Sequence, residues 1–178
     1  MNVEIINIER NTVADAIDLF TVHWNRERPD VDVSPMAVIG RIQRLSRLLE
    51  QELKKFFAGH GLEFWEFDML ATLRRSGGAD GLTAGALNQV AMLTSGAITN
   101  RIDRLAAKGL VERAPCPEDR RAIRVQLTTT GRTLIDDLLP LHMANEQRLL
   151  AALDKQDRGH LADLLRILTE SLGDTASS

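Results

Sequence analysis

The sequence has few of the residues on which small secreted or membrane-bound proteins depend. Cys116 is the single cysteine among 178 residues, so no disulfide can form within the chain, as is typical of a reducing compartment. No run of about 18 apolar residues occurs, so no transmembrane helix is expected. The first residues lack a basic stretch followed by an apolar one, so no signal peptide is expected. Together these absences predict a cytoplasmic protein.

Residue patterns that bind metals or carry out catalysis are also missing. The four histidines match no metal-ligand spacing; they are His23, His60, His142 and His160. No glycine-rich phosphate loop occurs, and Ser34 and Ser95 are explained as helix caps rather than as nucleophiles. The sequence therefore predicts no metal, no cofactor and no enzymatic activity, with an enzyme kept as one alternative.

What is present is the composition of a globular domain, with 44% hydrophobic and 26% charged residues. The net charge is −3, but it is unevenly distributed. Residues 94–133 contain eight Lys/Arg and four Asp/Glu, a local charge of +4, so the remainder carries −7. Because phosphate binding needs a basic face rather than a basic protein, this segment favours contact with nucleic acid. Chance unevenness is the alternative.

Apolar residues recur at helical spacing along most of the chain. They predict helices over 12–28, 34–58, 62–75, 84–91, 95–108, 131–153 and 157–172. Thr12 and Thr130 are predicted to cap the first and sixth of these, and Ser34-Pro35 is typical of a helix start. Between the fifth and sixth helices the period changes to two, which predicts strands over Leu110–Ala114 and Ile123–Leu127.

This order of elements is that of a winged helix-turn-helix. The predicted fold is mainly α with a small β-hairpin, flanked by N- and C-terminal dimerisation helices. We expect three regions: 1–58 with an extra helix and the first dimerisation helix, 59–128 with the DNA-binding domain, and 129–178 with the C-terminal helices. The exposed leucine stripes of the outer helices favour a homodimer.

The second helix of the helix-turn-helix presents a polar face. At 100° per residue Ile98, Ile102 and Leu105 point to the core, whereas Asn100 and Arg104 point away from it. Residue types that read bases or phosphates are candidates for DNA binding; on this helix they are Thr94, Ser95, Thr99, Asn100 and Arg104. At the hairpin tip, Arg120 and Arg121 suit a minor groove. An ordinary surface helix and a solvated turn are the alternatives.

Residues 82–132 carry a resemblance to a known family. The stretches SGAITNRIDRL, GLVER, PEDRR and VQLTTTGR are similar to the winged helix of the MarR family of transcriptional regulators. The resemblance implies an obligate homodimer that binds a pseudo-palindromic operator on double-stranded DNA. It also implies repression that is relieved by a small anionic or phenolic ligand.

The N-terminal region resembles the branch of that family that includes the urate-responsive and PecS-like regulators. The resemblance implies a ligand pocket formed by Trp24, Asp68, Arg101 and Arg113. The residues support part of it independently: Asp68 lies on an apolar helix, where a carboxylate must be paired, and Arg101 faces inward more than toward DNA. A plain buried ion pair, with Trp24 as core filler, is the alternative.

The ligand class remains open between urate or another purine and phenolic compounds. A thiol-oxidation sensor through Cys116 is a further possibility within the family, although no cation cluster lowers the pKa of that thiol clearly. Outside the family, a helical interaction protein without a DNA role is the remaining alternative.

Overall fold

The computed structural model describes residues 14–78, 81–90, 98–115 and 123–174. Within these ranges it contains α1 (Ala16–Glu27), α2 (Pro35–Gly59), α3 (Phe64–Ser76), β1 (Leu82–Thr83), α4 (Ala84–Val90), α5 (Ile98–Ala107), β2 (Val111–Pro115), β3 (Ile123–Leu127), α6 (Thr129–Leu149) and α7 (Lys155–Ser171). The mainly helical fold with a small β-hairpin is confirmed. None of the described helices combines the length and apolar character needed to cross a membrane.

The chain divides into two compact units, the first ending at Glu52 and the second beginning at Leu53, so that α2 contributes to both. The predicted three-region division, with boundaries after 58 and 128, remains a prediction.

In the N-terminal unit, α1 and the first half of α2 are joined by ion pairs. The guanidinium of Arg41 contacts Asp15 at 2.9 Å and Asp18 at 2.6 Å. Asp15 is also the N-cap of α1, where it accepts from the backbone N–H groups of Ile17 and Asp18. The predicted start at Thr12 is therefore wrong, because the acceptor three residues later caps the helix and is fixed by Arg41; Thr12 itself lies outside the described residues.

The C-terminal unit is built around one hydrophobic core. α3 is its centre, because the side chains of Phe67, Met69, Leu70 and Leu73 are all buried. They pack with residues from the end of α2, α4, α5, both hairpin strands and α6: Phe57, Leu87, Ile102, Leu105, Val111, Val125, Ile135 and Leu138. The chain thus completes the core of its helix-turn-helix by itself.

The sheet has three strands rather than the predicted two, in the order β1-β3-β2, and both pairings are antiparallel. In the hairpin, Arg113 lies opposite Val125 and Pro115 opposite Ile123. β1 contains only two residues, which is too short for an alternating pattern to be visible in the sequence.

The start of α6 is tied to the turn between α5 and β2. Thr128 is the N-cap and accepts from the backbone N–H of Gly131 at 3.0 Å, while its hydroxyl donates to the carbonyl of Gly109 at 2.7 Å. The predicted cap, Thr130, is wrong: three consecutive threonines offer the same local chemistry, and the carbonyl of Gly109 selects the first.

Candidate nucleic-acid interface and ligand site

α5 presents the two faces that its sequence predicts. Ile98, Ile102 and Leu105 are buried against the core, whereas Thr99 and Asn100 are exposed. Side chains of these two types form hydrogen bonds with base edges and phosphates, so this face is chemically suited to DNA. Other predicted residues lie outside the described part of the chain: Thr94, Ser95, Arg120, Arg121 and the alternative sensor Cys116.

Arg104, also predicted to contact DNA, has partners within the chain. Its guanidinium forms an ion pair with the carboxylate of Glu63, the residue before α3. The same guanidinium lies over the ring of Trp65, 4.8 Å from the ring centroid, a favourable cation–π distance. Nε1 of Trp65 in turn donates to Glu63 at 2.8 Å. Arg104 is therefore held at the beginning of α3 by a carboxylate and an indole.

Arg101 lies one turn earlier on α5 and faces inward, in agreement with its predicted direction. Its guanidinium is 5.2 Å from the centroid of the same Trp65 ring. One of its nitrogens, Nη1, is buried and has no hydrogen-bond partner among the described residues. A buried guanidinium N–H without an acceptor is costly, and an anion that supplied one would remove the cost.

Asp68 on α3 is partly buried and lies within electrostatic range of two arginines. Burial raises the pKa of its carboxyl group, and the positive charges of Arg75 and Arg101 partly offset that effect. No described residue donates a hydrogen bond to this carboxylate. Arg101 therefore acts on Asp68 only through its charge, and Arg75, whose effect is the larger of the two, is a neighbour that the sequence did not suggest.

The other two residues implied by the family resemblance, Arg113 and Trp24, are both exposed. Arg113 on β2 pairs with Asp103 of α5, at 2.6 Å, and their side chains are 37% and 59% exposed. Trp24 belongs to the N-terminal unit, and 47% of its surface is exposed. Within the described C-terminal unit, the structure therefore groups Asp68 with Arg101 but gives Arg113 a different partner.

A half-buried ion pair just after α5 was also missed by sequence reasoning. Glu66 of α3 is fully buried, and its Oε2 contacts Nζ of Lys108 at 2.7 Å. The same oxygen accepts from the backbone N–H of Glu63 at 2.9 Å. This pair fixes the end of α5 to the beginning of α3. Arg101, Arg104 and Lys108 therefore all contact residues at or just before the start of α3.

Glu63, Trp65 and Glu66 gave only a weak signal in the sequence. They precede or begin α3 in a run read as hydrophobic core, and their arginine and lysine partners follow about 40 residues later. An N-terminal helix turn rich in acidic residues, followed by a basic helix, is the pattern that points to such pairs. Among the described residues, no group of three His, Cys, Asp or Glu side chains is placed to bind a metal ion.

Comparison with known proteins agrees with this geometry. A model of the MarR family matches residues 60–122. The chain is 39% identical over 142 residues to the HTH-type transcriptional regulator PecS of Dickeya dadantii (strain 3937), covering 80% of this chain and 86% of PecS.

Two solved structures extend the agreement to the fold. AbsC, a MarR family transcriptional regulator from Streptomyces coelicolor, matches with a TM-score of 0.70 and 26% identity, covering 82% of this chain and 97% of AbsC. A mutant MarR from E. coli in complex with operator DNA matches with a TM-score of 0.66 and 26% identity, covering 82% and 96%. The winged helix-turn-helix is confirmed. The chain belongs to the MarR family of DNA-binding transcriptional regulators, which are not enzymes.

Proposed function

We propose that this protein is a cytoplasmic, homodimeric repressor that a small planar anion, urate or another purine, releases from a pseudo-palindromic operator. One observation supports the ligand response: a guanidinium nitrogen of Arg101 is buried and has no hydrogen-bond partner in the described part of the chain, and Arg101 lies on the helix whose opposite face is suited to DNA. Any group that binds this nitrogen acts directly on the position of α5.

The DNA side of the proposal rests on exposure and charge. Thr99 and Asn100 face solvent on α5, within the segment of local charge +4. In a two-fold dimer, two copies of this helix enter successive major grooves about one DNA turn apart, which requires a pseudo-palindromic site. In this proposal Arg120 and Arg121, predicted to lie at the hairpin tip, bind the flanking minor grooves. Thr94 and Ser95 add contacts to bases in the major groove.

The dimer rests on apolar surface that the single chain leaves exposed. None of the residues Lys155–Ser171 is buried, although α7 carries a stripe of leucines. An exposed stripe of this kind marks an interaction surface. A second copy of the chain is the partner that supplies a matching apolar face, since MarR family regulators act as dimers.

The ligand chemistry follows from Arg101 and Asp68. A guanidinium donates two parallel hydrogen bonds to a planar anion, and a purine anion has oxygen and nitrogen acceptors in one plane. A protonated Asp68, which the raised pKa favours, donates a further hydrogen bond, whereas an ionised Asp68 accepts one from a purine N–H. A simple phenol satisfies Arg101 less completely, because it has a single acceptor oxygen, whereas the carboxylate of a phenolic acid also accepts two hydrogen bonds.

Release of DNA follows from a movement of Arg101 toward the ligand. A ligand that draws its guanidinium into new hydrogen bonds turns or shifts α5 and moves Thr99 and Asn100 out of register with the groove. A coupling free energy of about 1–3 kcal/mol would weaken operator binding roughly 5- to 150-fold.

The test is a gel shift at about 150 mM salt on DNA upstream of the protein's own gene, titrated with urate. We expect a discrete complex that urate dissolves, and an Arg101→Ala variant that binds DNA but no longer responds. Arg166→Ala, which removes an exposed arginine from α7, is the matched control and should respond normally. If Arg101→Ala releases DNA at the same urate concentration as the unsubstituted protein, the proposed route is wrong. A complex indifferent to urate directs the search to other purines and phenolics.

Trp24 and Arg113 need their own variants, because their part in ligand binding rests on the family resemblance. Trp24→Phe and Arg113→Ala should each raise the urate concentration needed for release. Asp103→Asn is the control for Arg113: it breaks the observed ion pair but leaves the arginine, so a normal response there separates ligand contact from local structure.

A further inference from the structure

Glu63 has a position that the proposed function does not use. Its two carboxylate oxygens have different partners: one forms the ion pair with the guanidinium of Arg104, and the other accepts from Nε1 of Trp65 at 2.8 Å. Because Trp65 also lies under the guanidinium of Arg104, the arginine is bound both by the carboxylate and by the ring that orients the carboxylate. We call Glu63 and Trp65 the α3 clamp.

The α3 clamp can open, because it is not buried. The side chains of Arg104 and Glu63 are 48% and 56% exposed, so water and ions reach both. The positive charge of Arg104 also holds the pKa of the Glu63 carboxyl below its usual value, chiefly through their hydrogen bond, so this carboxylate is ionised at neutral pH. A DNA phosphate and the Glu63 carboxylate present the same kind of acceptor to one guanidinium.

We propose that Glu63 is a positioning residue that limits operator affinity, because it holds Arg104 on α3 and DNA phosphate must displace it. This rests on the proposed function in one respect, that the exposed face of α5 lies on DNA. It adds a residue outside the helix-turn-helix whose charge lowers affinity, and it explains why a cation predicted to bind DNA is paired within the free protein.

The expected effect is small and has a definite sign. An ion pair between exposed side chains contributes about 0.2–1 kcal/mol, so its removal should strengthen operator binding by about 1.5- to 5-fold. Glu63→Gln is the appropriate change, since the amide oxygen still accepts from Trp65 while the charge is lost. Glu63→Asp retains the charge and should not strengthen binding.

The matched control is Glu112→Gln. Glu112 is an exposed carboxylate on β2, and its Oε1 accepts from the side chain of Gln126 at 2.7 Å. Loss of this carboxylate removes the same charge near the DNA-binding surface without releasing Arg104. The gain from Glu63→Gln should therefore exceed that from Glu112→Gln.

Arg104→Ala supplies the second control through a double-mutant cycle. Alone it should weaken operator binding and lower the slope of log affinity against log salt by about one. In its presence Glu63→Gln should give no gain beyond that of Glu112→Gln. Thermal unfolding of each variant shows whether a change in affinity reflects loss of structure.

The outcomes separate the two proposals. If the unsubstituted protein forms a discrete operator complex but Glu63→Gln binds no more tightly than Glu112→Gln, the role of Glu63 is overturned and the repressor assignment stands. If the gain persists in the Arg104→Ala background, Glu63 acts on DNA directly and the α3 clamp is again wrong. If no discrete complex forms with any candidate operator, both proposals fail.

Discussion

α5 and α7 are both amphipathic helices of the C-terminal unit, yet the chain buries the apolar face of α5 only. α5 buries Ile98, Ile102 and Leu105 in the core, and its cations find partners on α3. α7 is longer and carries four leucines on one stripe, but none of its residues is buried. The helix that we propose to read DNA is thus positioned by its own chain, whereas the described chain leaves the apolar stripe of α7 uncovered. Sequence periodicity is the same for both and does not distinguish these two cases.

The largest effect is expected from a substitution in the leucine stripe of α7. Leu164 lies on the leucine stripe and is 53% exposed. If this stripe forms a two-fold interface, Leu164→Glu removes two leucine contacts, and the dimer should lose roughly 3–6 kcal/mol. Sedimentation velocity across a concentration series should show a dissociation constant raised at least about 100-fold. Ile167→Glu is the control, because Ile167 is also apolar but lies about 110° from the middle of the stripe. Equal losses in both variants would argue against the leucine stripe as the interface.

The corresponding change in α5 should destabilise the folded chain instead. Leu105 is fully buried in the core, so Leu105→Ala should reduce the free energy of unfolding by about 3 kcal/mol, through lost burial and a cavity. Urea unfolding measures it, and Leu105→Met, which retains volume, should lose less than about 1.5 kcal/mol. A loss below 1 kcal/mol for the alanine variant would show that α5 is less firmly packed than its burial indicates.

The ion pair at the end of α5 should stabilise the fold more than the ion pair within α7, because only the first includes a buried carboxylate. Lys108→Met at the end of α5 leaves the buried Glu66 carboxylate without its cation, and should cost about 2 kcal/mol of unfolding free energy. Arg166→Met in α7 breaks the ion pair between Arg166 and Asp163, two side chains that are mostly exposed. This change should cost less than about 1 kcal/mol of unfolding free energy. Adding Glu66→Gln to Lys108→Met should recover part of the loss. Equal losses of unfolding free energy in Lys108→Met and Arg166→Met would show that the two ion pairs do not differ in strength.

The smallest expected effect concerns pH. His142 on α6 is buried among the rings of Phe56, Phe57 and Phe67, and burial lowers its pKa from the ordinary value near 6.5, an effect that the charge of Glu146 partly offsets. As pH falls below 6.5 the unfolded chain binds a proton that the folded chain resists, so the unfolding free energy decreases. His142→Phe should remove this loss between pH 7.5 and 5.5, measured by urea unfolding.

His160→Gln in α7 is the control, since this histidine is exposed; it should leave the pH dependence unchanged. If His142→Phe retains the full pH dependence, another group is responsible. Asp15 and Glu63 have lowered pKa values in the folded chain, so they affect stability at more acidic pH. The stability that they provide is lost as the pH falls through those lowered pKa values.

Much of the fold was predictable because hydrophobic period and helix length are local properties. The prediction placed all seven described helices and the β2–β3 hairpin, and angular spacing alone gave the inward direction of Arg101. Two helix starts were wrong, at Thr12 and Thr130, because several residues offered an equivalent cap and a distant partner made the choice. Arg41 fixed one cap and the carbonyl of Gly109 the other.

The candidate site was less predictable, because it depends on pairings across 40 residues. The family resemblance implied that Asp68 shares a ligand pocket with Trp24, Arg101 and Arg113. The structure brings Arg101 and Arg75 within range of Asp68, while Arg113 takes Asp103. When several acidic and basic groups lie within one unit, charge alone does not determine which of them meet, and packing of α5 on α3 decides.

The attachment of α6 at Gly131 has a consequence for the construction of hybrid regulators. A side chain at position 131 would collide with the carbonyl of Leu110, and Thr128 is bonded to Gly109 and Leu110 at once. A DNA-binding region transplanted between relatives must therefore carry residues 128–131 with it. A junction placed at Leu127, where β3 ends, would separate the cap residue Thr128 from the turn that selects it.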